Sequence, residues 1–423
     1  MSFTRNHRYP SVKKRFAIWA ALFSVGTLAM PSTALASNER ESLTTDSERY
    51  FKSEDIFNLE YVSEVQVSPN GKYVAYVRRS NDIMSDSSRA NVWLASVDGK
   101  SHRPLLSSKK SYYSIRWSPD GSRLAYLSNE EGKPQLYVRW MDTGQTALVT
   151  NVTSNPSNIT WSPDGKHIAF TMSVDAKEKP LDIKMPKKPD GAKWSPSFQY
   201  ITKARYQADG RGILEPAYTH IFIVPADGGT ARQLTSGNYH HNGRLSFSPD
   251  SDKIYFSANR SDNWEYEPVE GDIFSVDMMG NIAQLTNDKG LESSPVVSPD
   301  GKHIAYARRD DEKVMYKNSY LYVMKSDGTD AKNLTKDVDN SVSNFHWKDN
   351  KHVYFQQSVR GLAQVDVVSL SGSVKAVAKG LGGTTLGRPY VFGTYHAVGD
   401  VVAYTKGRTD RPADLYVTTR NER

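Results

Sequence analysis

The chain has 423 residues, no cysteine and a formal net charge of +7. Lacking cysteine, it has no disulfide, no thiolate metal site and no cysteine nucleophile. Five of its 54 basic residues lie in the first 36 positions, leaving 49 against 47 acidic ones, so the remainder is near +2 and a nucleic-acid partner is not expected.

At the start, Arg5, Arg8, Lys13, Lys14 and Arg15 precede the apolar run FAIWAALFSVGTLAM, and Ala34-Leu35-Ala36 follow. This is the layout of a secretory signal peptide spanning residues 1–36, with cleavage expected after Ala36. The apolar run is shorter than the roughly 20 residues of a spanning helix, so no membrane span is expected after cleavage, and the destination is periplasmic or secreted. Residues 37–55 form an N-terminal segment ahead of the repeated part, 56–423.

One phrase recurs through that part: SPNGKYVAYV at 68, SPDGSRLAYL at 118, SPDGKHIAFT at 162, SPDSDKIYFS at 248 and SPDGKHIAYA at 298. Degenerate copies are KDNKHVYFQ at 348 and VGDVVAYT ending at Thr405. In each, Pro presets a turn, Asp bonds its own backbone and Gly supplies a positive φ. An apolar strand end precedes the turn (Val67, Trp117, Trp161, Phe247, Val297, Trp347), and a β-branched and aromatic run follows it. A second strand–turn–strand signature completes each unit, as in LYVRWMDTGQTALVT at 136 and LYVMKSDGTDAKNLT at 321. Four strands in a unit of about 45 residues make a propeller blade, so the fold expected is all-β, a seven-bladed β-propeller of four-stranded blades. The aromatic residues of the phrase are then core between blades. The third blade carries an insertion at about 174–219. The seventh, expected from near Pro389, reaches only a third strand at DLYVTT. An unpaired sheet edge is a liability, so the ring is expected to close through the segment from Asn38 to Asp55 or the natural protein to continue.

Catalytic motifs are missing. No G-x-S-x-G elbow occurs; the only G-x-S, Gly99-Lys100-Ser101, lies in a turn between outer strands. No histidine precedes a glycine. His240 and His241 are adjacent and cannot face one metal from one strand, so they read as surface or satisfied histidines. No catalytic residue, metal site or cofactor is expected.

The stretches YITKARYQADGRG at 200–212, HIFIVPADGGTARQLTSGNY at 220–239 and ANRSDNWEYEPVEGDIFSV at 258–276 closely resemble the propeller of bacterial prolyl oligopeptidase-family serine peptidases of the acylaminoacyl-peptidase and dipeptidyl-peptidase type. The resemblance runs from about Ser53 to Arg423. It implies a gating, substrate-selecting propeller that admits short peptides, with the Ser-Asp-His triad in an α/β-hydrolase domain that would begin where this sequence ends. It also implies that Arg205 and Tyr206 lie toward the interdomain face. Trp264, Glu265 and Glu267 follow the blade-four hairpin, and acids beside such a cavity suit a substrate's free α-amino group; the alternative is plain surface. The Lys- and Pro-rich stretch KMPKKPDGAKW reads as a solvated loop. Two further functions stay open: a free-standing TolB-like module binding a protein partner or itself, and a lyase-like enzyme in the channel.

Overall fold

The structure, a computed structural model, describes residues 50–176, 186–195, 200–310, 314, 316–383, 385 and 392–419. Seven antiparallel sheets follow one another along residues 60–106, 112–148, 157–233, 246–284, 290–333, 342–381 and 395–418. Among the described residues the first six have four strands each and the seventh has three, which is the seven-bladed propeller with three described strands in its last blade. The first strands of neighbouring blades pack on one another around the axis, so they form the inner wall.

Each blade is an alternating ladder whose two faces are both apolar, because both must be covered. The result is seven separate buried clusters, one per blade–blade junction. Blade 2 presents Leu127, Leu136 and Val138 to Ile159, Ile168 and Phe170 of blade 3, for example. Blade 5 presents Ala305, Leu321 and Val323 to Phe345, Val353 and Phe355 of blade 6.

The repeated phrase does more than turn the chain. Ser68, Ser118, Ser162 and Ser298 each donate a hydroxyl hydrogen bond to the Asn or Asp two residues on, at 2.6–2.8 Å. The turns also touch across blades. A Cβ on Gly121 would lie 3.4 Å from Pro69 Cδ of blade 1, and one on Gly301 would lie 3.2 Å from Pro249 of blade 4. The tryptophan before the turn reaches backwards: Trp117 Nε1 donates to Gln66 O at 3.1 Å, Trp161 Nε1 to Arg116 O at 3.1 Å and Trp347 Nε1 to Val296 O at 2.8 Å. The phrase therefore recurs because each copy is half of a joint with the next blade.

Among the described residues blade 7 meets blade 1 by face-to-face packing. Val62, Val65, Val67, Val74 and Tyr76 of blade 1 bury against Ala403, with Val398, Val401, Leu415 and Val417 beside them. Val67 N–H donates to His396 Nδ1 at 3.2 Å across the same junction. Among the described residues no strand pairs with the outer side of Arg411–Thr418. The expected closure by residues 38–55 falls largely outside the described residues; its described end enters a 3-10 helix, Ser53–Asn58. One boundary differs from the sequence reading. The strands of blade 3 pair as far as Asp175↔Ala217, so the insertion occupies 176–216, because the ladder uses its flanks. The first described strand of blade 7 begins at Tyr395, and the expected start near Pro389 lies outside the described residues.

Candidate functional site

An antiparallel blade puts its second-to-third-strand loop on the face opposite the first turn. The two longest such loops, 176–216 of blade 3 and 259–271 of blade 4, are neighbours there and bound a cavity of about 380 Å³. Its walls include Lys203, Tyr218, Tyr239, Trp264 and Glu265.

Glu265 clamps the two loops together. It accepts a hydrogen bond from Ala204 N–H at 3.0 Å and an ion pair from Lys203 Nζ at 3.0 Å. Partial burial works to raise its carboxyl, but the Ala204 amide and Lys203 prevail and hold it below the usual carboxylate range. The Lys203 ammonium also lies 5.7 Å from the centre of the Tyr218 ring. The Tyr218 hydroxyl stands near enough to hold that ammonium above its ordinary range, yet it is buried and meets no partner in hydrogen-bond geometry, so the contact is one of charge and dipole.

Two of the wall rings, Tyr218 and Trp264, pack on His240, which lies behind the lining. Tyr218, His240 and Trp264 lie 5.4–6.3 Å apart, tilted or edge to face, an arrangement aromatic quadrupoles favour. Thr219 N–H donates to His240 Nδ1 at 3.3 Å, and burial, then the charge of Arg205, hold this imidazole below its usual range. His241 is a satisfied core residue: its Nδ1 bonds Thr219 O at 3.2 Å, Arg260 donates to its Nε2 at 2.7 Å, and burial pushes it down to about 3. Arg260 in turn stacks on Tyr239 at 4.7 Å.

The five residues picked from sequence are thus distributed as follows. Trp264 and Glu265 line the cavity; Arg205 is exposed beside it, within charge range of His240; Tyr206 and Glu267 are exposed and do not line it. Lys203, Tyr218, Tyr239 and His240 were missed. Lys203 lies inside the YITKARY motif and Tyr239 closes another, so part of the signal was present, but a lysine two positions from Arg205 reads as ordinary surface. Among the described residues the hydrogen-bonded imidazole rings pair with backbone groups, Tyr76, Thr235, Arg260 or Asp349. No group of three His, Cys, Asp or Glu among the described residues could hold a metal ion. The cavity offers a ligand aromatic walls, a carboxylate and an ammonium.

The TolB beta propeller domain matches residues 71–214, and the dipeptidyl peptidase IV N-terminal region matches residues 194–306. Dipeptidyl-peptidase 5 of Porphyromonas gingivalis is 23% identical over 420 residues, which cover 96% of this chain and 58% of that protein. Acylaminoacyl peptidase of Pyrococcus horikoshii superposes with a TM-score of 0.67 at 17% identity, over 87% of this chain and 52% of that one. The propeller domain of the Trilobed protease of Pyrococcus furiosus, described as having an open velcro topology, superposes at 0.58 and 16% identity, covering 86% of this chain and 96% of that one. The chain spans between 31% and 58% of the length of the first peptidase relatives it matches. It is a propeller related to the N-terminal propellers of prolyl oligopeptidase-family peptidases and to TolB.

Proposed function

We propose that this propeller is the substrate-selecting portion of an exported serine peptidase of the prolyl oligopeptidase family, whose hydrolytic triad belongs to an α/β-hydrolase domain and not to the blades. One observation carries the reading: the match to the dipeptidyl peptidase IV N-terminal region, 194–306, takes in Lys203 and Ala204 from one loop and Trp264 and Glu265 from the other, so it spans both walls of the cavity. The ligand is the free amino end of a short peptide, its ammonium drawn to Glu265 and its first side chain against Trp264 and Tyr218. Because Lys203 already holds Glu265, the incoming ammonium shares or displaces that pair.

Titrating Trp264 fluorescence with a dipeptide bearing a free amino terminus and with its N-acetylated form tests the reading. The free form is expected to bind at least tenfold more tightly, and Glu265→Gln to abolish that preference. Equal binding of both forms would sink it. Export is part of the proposal, and N-terminal sequencing of the exported chain is expected to begin at Ser37.

The match of the TolB propeller domain to residues 71–214 supports a second reading, a free-standing module that binds a protein partner or itself, for which the edge of blade 7, unpaired among the described residues, offers a surface. Light scattering distinguishes the two: a stable oligomer with no preference for free amino termini favours the second.

A further inference from the structure

The channel has chemistry of its own. Arg116, His346 and His396 each stand immediately before the apolar residue that opens the repeated turn in blades 2, 6 and 7, so they occupy one level of the inner wall. Arg244 precedes the first strand of blade 4, two residues below that level. Blades 6 and 7 are neighbours, but blades 2 and 4 adjoin neither, so contacts of their side chains with blades 6 and 7 run across the axis. Arg244 reaches past blade 5 and donates from Nη1 to Phe345 O of blade 6 at 2.6 Å. His346 and His396 meet edge to face at 4.9 Å, and the charge of Arg116 is felt at Arg244, His346 and His396 alike. All four are half-buried.

Charge is unbalanced here. Arg116 pairs with Glu64 of blade 1 at 2.9 Å. Arg244 has no carboxylate partner among the described residues, and burial pushes it down to about 10. Glu64 also shows what this wall does with an oxyanion: one carboxylate oxygen takes the Arg116 guanidinium and the other takes Ser114 N–H at 2.8 Å. Ser114 has a left-handed φ of 52°, and Asn158, Ser294 and Asn344 have the same turn of backbone at the matching place in blades 3, 5 and 6. These bulges, each at a register shift, re-aim the wall residues.

We propose that the channel binds a small oxyanion, held by the unpaired hydrogen-bond donors of Arg244 with His346 and His396 beside it. Burial and the two arginines keep His346 well below its usual range and push His396 down to about 3. His396 Nδ1 already accepts Val67 N–H, so His396 stays neutral and offers its Nε2–H. His346 faces Arg244, Arg116, His396 and Tyr395. An anion there opposes the arginine charges and draws a proton onto His346, so binding is accompanied by proton uptake and tightens as pH falls. This site lies on the axis and is independent of the proposed peptide cavity.

Sulfate is the suitable probe because its charge is constant from pH 5 to 8. Calorimetry on the full chain at fixed ionic strength is expected to give one saturable site, at least fivefold tighter at pH 5.5 than at pH 8, with proton uptake seen as a dependence of the heat on buffer ionisation. Arg244→Gln is expected to lose at least tenfold in affinity and Arg244→Lys only a few-fold. His346→Gln is expected to bind with the pH dependence removed. If Arg244→Gln fails to fold, the His346 variant still decides. Non-saturable sulfate heats, an Arg244→Gln chain that binds normally, or a His346→Gln chain with an unchanged pH profile would each overturn the proposal.

Discussion

Replacing Trp161 by Phe isolates the joint between blades 2 and 3. The ring stays buried, so the large apolar contribution is largely retained. Lost are the hydrogen bond from Nε1 to Arg116 O at 3.1 Å and part of the stacking of Arg123, whose guanidinium lies 4.9 Å from the indole. An orphaned carbonyl costs roughly 1–3 kcal/mol and the cation–π contact about 0.5–1 kcal/mol, so the change is expected to cost about 2–3 kcal/mol. Trp161→Ala also opens a cavity and is expected to cost about 3–5 kcal/mol. Urea unfolding followed by circular dichroism measures both, and a double-mutant cycle with Arg123→Met separates the stacking from the hydrogen bond. Arg123 also holds Asp227 at 3.0 Å and Gly165 O at 2.7 Å, so its single variant has its own cost. Trp117→Phe and Trp347→Phe, which remove the same bond elsewhere in the ring, are expected to follow Trp161→Phe. A Trp161→Phe chain within about 0.5 kcal/mol of the parent would refute the idea that these tryptophans join the blades.

Stability should also depend on pH through Glu292, which is 1% exposed and has one oxygen without a hydrogen-bond partner. Burial pushes its carboxyl up to about 7, and neither Thr286 nor Arg308 offsets this. A raised carboxyl pKa means stability that is fully present below about pH 4.5 and lost as pH rises through 7. Glu292→Gln is expected to flatten the melting-temperature profile between pH 5 and 8 and to gain on the parent at pH 8, on the order of 1–3 kcal/mol; no gain at pH 8 would contradict the assignment. Two glycines separate strain from crowding. Gly132 has φ +86° and open space around it, so Gly132→Ala is expected to cost about 1–2 kcal/mol by thermal melting. Gly328 has φ +90°, and a Cβ there would lie 2.5 Å from Leu285 O, so Gly328→Ala is expected to cost at least about twice as much, and equal losses would show that the turn yields freely.

The blade count, the turn chemistry and the interblade role of Trp117, Trp161 and Trp347 were legible because they are local and repeated. A turn needs its proline and glycine within four residues, and a strand that must be covered on both faces needs apolar residues along its whole length. The insertion's existence was legible for the same reason. Its bounds were not, because Val174 to Asp175 and Ala217 to Thr219 extend a ladder whose register is set by the partner strand.

The candidate site was half legible. Trp264 and Glu265 stood out as an aromatic–acid pair in a motif, but nothing local joins Glu265 to Lys203, 62 positions earlier, and the loop contact alone brings them to 3.0 Å. The channel was not legible at all: Arg116, Arg244, His346 and His396 come from four blades, and in sequence each is one polar residue in a strand. The amino-acid sequence by itself determined the blade, its turn and its number of copies, since these rest on backbone preference and on which side chains leave water. Only the tertiary structure decided how the ring closes, that Glu265 is already paired, and that distant cations share one axis. Charge and packing act across a distance of a few ångströms, and the closed ring alone brings those residues within it.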